Sequence, residues 1–184
     1  MNSAINLLNK LRFLLITPSL DMQNETINMD IDRWKAVLHL EGNRKQVLRH
    51  LLSSFKEFRN LYLFRNGNRR FYRRLVRLLY RPLDSLYITT AKIGGGLFIQ
   101  HGFSTYIAAE SIGKNCWINQ QVTIGFKDDT RAPIIEDNVT ITCGAKVLGP
   151  IHIGNNVIIG ANAVVVKDVE PGSIMGGVPA HRLN

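Results

Sequence analysis

Ile135-Glu136-Asp137-Asn138-Val139-Thr140-Ile141-Thr142-Cys143-Gly144-Ala145-Lys146-Val147-Leu148-Gly149-Pro150-Ile151-His152-Ile153 places a branched aliphatic residue at every sixth position (Ile135, Ile141, Val147, Ile153). An apolar residue follows four positions later (Val139, Ala145, Ile151), and Gly, Asn or Asp crowd the intervals. The same step continues through Ile159 and Val165, and precedes this stretch as Ile112, Ile118 and Ile124. Six residues suit a short strand followed by a tight corner, with Gly, Asn and Asp taking the strained backbone. One such side buries little alone, whereas coil stacked on coil makes continuous columns of Ile and Val. A helix is excluded because six is not a multiple of 3.6 and β-branched residues at this density disfavour it. The predicted fold is mainly β: a parallel β-helix of hexapeptide repeats, preceded by an α-helical N-terminal region.

The spacing breaks between Ile124 and Ile135, where eleven residues stand in place of the twelve of two hexads. Residues 126–133 (Phe126 to Pro133) are therefore expected to project as a loop. Upstream, Ile93 and Ile99 keep the step, but Gln100-His101-Gly102-Phe103-Ser104-Thr105-Tyr106-Ile107 departs from it around a histidine. Loops held by a rigid scaffold are where binding and catalytic groups concentrate.

At 184 residues and 45% apolar composition the chain can bury a core. Its charge is divided unevenly: residues 1–81 hold sixteen Lys and Arg against six Asp and Glu (+10), while residues 82–184 hold seven against eight (−1). We divide the chain into a basic helical cap, residues 1–82, and a β-helix domain, residues 83–184. Stop signals place four helices in the cap: one ended by Pro18, one over 31–40 before Gly42, one over 43–65 with an apolar stripe of Val47, Leu51, Phe55, Phe58 and Leu61, and one ended before Pro82. The last, Arg69-Arg70-Phe71-Tyr72-Arg73-Arg74-Leu75-Val76-Arg77-Leu78-Leu79-Tyr80-Arg81, reads as apolar on one side and cationic on the other. A solvated basic face fits it, as does contact with an anionic surface, a phosphate-rich substrate or nucleic acid. No segment has the length and apolarity of a membrane span, and residues 7–16 carry Lys10 and Arg12 without a signal-peptide cleavage site, so a cytoplasmic location is expected. Cys116 and Cys143 fall where small core residues belong, and no Cys or His cluster has metal-ligand spacing.

Ala91-Lys92-Ile93-Gly94-Gly95-Gly96-Leu97-Phe98-Ile99-Gln100-His101-Gly102, Gly144-Ala145-Lys146-Val147-Leu148-Gly149-Pro150-Ile151, Val165-Val166-Lys167-Asp168-Val169-Glu170-Pro171 and Gly176-Gly177-Val178-Pro179-Ala180 resemble the left-handed parallel β-helix acyltransferases, in the branch of serine and surface-sugar O-acetyltransferases. The left hand comes from that resemblance alone, since general crossover rules favour the right. The resemblance implies acetyl-CoA as acyl donor, no metal, and a homotrimer with shared active sites. It implies His101 as general base, and Cys143, Gly144, Ala161, Lys167 and Arg182 along the CoA groove. An imidazole can take the proton of a hydroxyl as it attacks a thioester.

The departures bear on the acceptor. The family's base-orienting aspartate falls at Leu86, leaving Asp84 or Glu110 as substitutes; its aspartate before the histidine is Gln100, and its Arg-His pair is Arg131-Ala132. Gln100 and Arg131 remain as acceptor-binding candidates. Loss of the carboxylates that would pair an ammonium turns the expectation toward a sugar hydroxyl in surface-polysaccharide synthesis, with a lipid-linked sugar fitting the basic helices. The alternatives are L-serine as acceptor, or a non-catalytic trimer binding polyanions or membrane. Nucleic acid is not expected as a partner, and peripheral membrane contact through the basic helices is left open.

Overall fold

The computed structural model describes residues 2–127 and 131–184. The chain forms two compact units, one ending at Leu83 and the other running from Asp84 to Asn184.

The first unit is helical: α1 (Asn2–Ile16), α2 (Glu25–Val37), α3 (Arg44–Ser54), α4 (Lys56–Arg65) and α5 (Arg70–Leu79). Helix α2 starts at Glu25 instead of near residue 31, because the Asn24 side chain accepts the Ile27 N–H at 3.1 Å and caps a polar first turn that apolar spacing does not reveal. The single helix expected over 43–65 is two. Phe55 leaves the helical region (φ −118°, ψ 109°). The carbonyls of Leu52 and Ser53 freed by this break accept bonds of 2.7 Å each from the Arg59 guanidinium. The Phe55 ring meets Trp34 edge-on at 5.8 Å. Despite the break, Val47, Leu51, Phe58 and Leu61 reach one core with Ile31 and Trp34. Asp30 on α2 and Arg65 on α4 form an ion pair of 2.8 Å with side chains 2% and 7% exposed. In α5 only Tyr72 and Val76 are buried; Phe71 and Leu78, expected on the apolar side, are 86% and 82% exposed.

The second unit coils through three parallel faces. Face one stacks Leu86–Ile88, Thr105–Ile107, Thr123–Gly125, Lys146–Leu148 and Val164–Val165; face two stacks Lys92–Ile93, Ser111–Ile112, Ile134–Ile135 and His152–Ile153. Face three stacks Phe98–Ile99, Trp117–Ile118, Thr140–Ile141, Ile158–Ile159 and Ile174–Gly176, closed by the antiparallel His181–Arg182. Each hexad step moves the chain one face onward, so every third aliphatic residue stacks. The columns are Ile107, Ile124, Val147 and Val165; Ile93, Ile112, Ile135 and Ile153; and Ile99, Ile118, Ile141 and Ile159.

This register corrects the reading of the first break. Ile124 and Ile135 lie on consecutive faces, so eleven residues replace the six of one hexad: an insertion, where the sequence suggested two hexads short by one residue. Of the expected loop, residues 128–130 lie outside the described residues. Phe126 and Arg131 are exposed, and Ala132 and Pro133 are buried where the chain rejoins the coil. The step from Ile99 to Ile107 is likewise lengthened, to eight residues.

Candidate active site

The corner between faces three and one is turned in regular coils by one left-handed residue: Gln121 (φ 60°), Gly144 (φ 73°) or Asn162 (φ 57°). In the lengthened coil His101 (φ 63°), Gly102 (φ 35°) and Ser104 (φ 52°) all take positive values. A histidine held in this region is uncommon, and such strain concentrates at functional sites. His101 is exposed, and its imidazole has no hydrogen bond or ion pair among the described residues.

The two candidate orienting carboxylates are placed differently. Glu110 stands at the corner between faces one and two, a different edge of the coil, so it does not serve His101 within one chain. Asp84 precedes the first strand of face one and lines an open recess of about 460 Å³ with Ser85, Tyr87, Ser104, Thr105 and Tyr106. It shares the corner of His101 without a bond to it. The exposed rings of Tyr87 and Tyr106 face each other at 5.9 Å in this recess.

Gln100 is fixed by residues that the sequence did not single out. Its Oε1 accepts from Trp117 Nε1 at 3.2 Å and from Asn119 Nδ2 at 3.4 Å. An indole N–H only donates, so the oxygen must face Trp117 and the Gln100 amide N–H groups point elsewhere. They have no partner among the described residues. The Trp117 ring is itself held edge-on against Phe98 at 4.8 Å. Phe98 pairs with Trp117 in the next coil, so the coil-to-coil offset was the signal that could have found this group.

Cys143, Gly144 and Ala161 gather at the corner between faces three and one, where the Cys143 carbonyl accepts the Asn162 N–H at 2.9 Å. A Cβ on Gly144 would run into Asn162 Oδ1. Lys167 does not join them: it follows Val165 at the corner between faces one and two. Arg182 lies exposed on the antiparallel closing strand, its Nε 3.3 Å from Asn184 Oδ1. Arg131 is exposed and has no partner among the described residues. Both cysteines are free, Cys116 buried and Cys143 half-buried. Among the described residues no group of three or more His, Cys, Asp or Glu side chains could hold a metal ion, and no helix is long and apolar enough to cross a membrane.

The arrangement offers an exposed imidazole on a strained corner, a fixed amide donor beside it, and a small-residue corner in the following coils. Residues 132–167 match the bacterial transferase hexapeptide family (six repeats). The chain is similar to a serine acetyltransferase of Staphylococcus aureus, 48% identical over 95 residues that cover 50% of this chain and 45% of the relative. It is also similar to a serine acetyltransferase of Synechococcus elongatus, 41% identical over 111 residues covering 58% and 46%. The chain thus spans less than half the length of these curated relatives. Among solved structures, a serine acetyltransferase of Neisseria gonorrhoeae in complex with serine superposes with a TM-score of 0.70 at 27% identity, covering 89% of this chain and 70% of that one. A serine acetyltransferase in complex with CoA shares the fold, with a TM-score of 0.63 at 24% identity, covering 86% and 68%.

Proposed function

We propose that this chain is a hexapeptide-repeat acyltransferase of the serine O-acetyltransferase branch, a reading supported by its similarity to these proteins, and that it transfers an acetyl group from acetyl-CoA to a hydroxyl with His101 as general base. The observation that carries this reading is the exposed imidazole of His101 on a left-handed corner. The imidazole takes the proton as the hydroxyl oxygen bonds to the thioester carbon. The carbon–sulfur bond then breaks and the CoA thiolate leaves. Cys143, Gly144 and Ala161 let the donor's arm approach the coil backbone. Lys167 and Arg182, set apart from that corner, meet its phosphates across a trimer groove.

L-Serine is the acceptor best supported, by the relatives and by the serine-bound neighbour. The sugar acceptor favoured from the sequence has no counterpart among these relatives. A second reading keeps it because of Gln100. With Oε1 committed to Trp117 and Asn119, that position presents N–H donors, which match a neutral hydroxyl or a carboxylate and oppose an ammonium.

Thiol release from acetyl-CoA tests both readings. His101→Ala is expected to lower turnover by about 10²–10⁴-fold; wild-type turnover in that variant would overturn the role of His101. Serine-dependent release by the native chain supports the first reading. Release with sugars but not with serine, together with gain of serine turnover in Gln100→Asp, supports the second. Absence of turnover with every acceptor, alongside salt-dependent polyanion binding, would sink the enzymatic assignment.

A further inference from the structure

Arg70, Arg73, Arg74 and Arg77 of α5 line a shallow recess of about 280 Å³. At 3.6 residues per turn these four positions fall in one arc of the helix, and Phe71 and Leu78, seven residues apart, stand one above the other on its margin. The opposite face is spoken for by buried Tyr72 and Val76. Helix α5 contains no acidic residue, and none of the four arginines has a carboxylate partner among the described residues. Like charges at these spacings repel one another on a free helix. The surface therefore combines uncompensated cations with two large apolar side chains, 86% and 82% exposed.

We propose that this face of α5 docks on an anionic lipid bilayer, with the arginines at the headgroup phosphates and Phe71 and Leu78 at the boundary with the acyl chains. Charge complementarity selects the occupant. Residues 1–81, which include α5, carry +10 (sixteen minus six), so the same face of a second copy would bring like charge against it, and the near-neutral β-helix of a second copy (−1 over residues 82–184) offers far less counter-charge than an anionic bilayer. A polyanion such as nucleic acid would pair with the arginines but would leave Leu78 in water, since bases stack on aromatic rings. A bilayer satisfies both kinds of group. The contact is independent of the acetyl-transfer reading, since none of these residues belongs to the catalytic corner.

The test is co-sedimentation of the full chain with phosphatidylcholine vesicles with and without phosphatidylglycerol. Binding is expected only with phosphatidylglycerol, and it should weaken as salt rises. R73Q/R74Q/R77Q should lower partitioning on the order of a hundredfold, at about fivefold per arginine. F71S/L78S, with its charge intact, should lower it by roughly tenfold or more. No sedimentation of folded wild-type chain, equal binding to both vesicle types, or wild-type binding by F71S/L78S would each overturn the proposal. So would a smaller assembly of F71S/L78S in light scattering, which would make the face a protein interface. Circular dichroism of each variant confirms that it is folded.

Discussion

Gly144 holds φ at 73° at a corner where an added Cβ would strike Asn162. Gly144→Ala is therefore expected to lose about 1–3 kcal/mol from backbone strain alone, read as a lowered midpoint in urea. Tyr80 presents the opposite case. Its ring is buried and its hydroxyl has no partner among the described residues. Removing an unsatisfied buried polar group costs nothing, so Tyr80→Phe is expected to be neutral or stabilising by about 1 kcal/mol in the same measurement. Legibility at this scale depended on whether a residue's neighbours in sequence are also its neighbours in space. His101 could be singled out as a candidate because the motif that marks it is local. The tethering of Gln100 could not be foreseen, because Trp117 and Asn119 reach it from the next coil.

Among the elements, aliphatic periodicity located the helices but not their ends. The start of α2 is set by a side-chain cap at Asn24, and the split between α3 and α4 by Arg59 satisfying the carbonyls that Phe55 leaves open. These are polar decisions, invisible to an apolar stripe that stays in phase across the break. The tie between α2 and α4 is of the same kind. Asp30→Ala removes the carboxylate that pairs with the buried Arg65 guanidinium and is expected to cost about 3–5 kcal/mol, whereas replacing both partners by well-packed apolar residues should cost far less. Denaturant titration of single and double variants checks this; equal losses would show that the pair itself, not the uncompensated buried charge, matters.

Across the molecule, the two units differ in what alkali does to them. Burial pushes the phenol of Tyr80 up to about 12 and raises those of Tyr62 and Tyr72, and all three lie in the helical unit. A raised phenol pKa favours the neutral folded state. The stability it contributes is full below the ordinary value near 10 and drains away as pH climbs through the folded value. The helical far-UV signal is thus expected to melt between about pH 10 and 12, ahead of the β signal; simultaneous loss of both would contradict this. The β-helix was legible because a six-residue period permits no other regular element. Its three-faced register was not, and one interval was misread as two shortened hexads until the pairing of Ile135 with Ile112 showed a single lengthened one.

That lengthened interval has a further consequence. The strand Ile134–Ile135 pairs with Ser111–Ile112 and with His152–Ile153 as if no extra residues preceded it. Length added there leaves the columns in phase, and doubling such a loop costs only about 0.6 kcal/mol in closure entropy. The coil is thus a chassis with an exchangeable insert. Lineages or designers can swap the segment after Gly125 between members of this fold without re-solving the problem of how the chain folds.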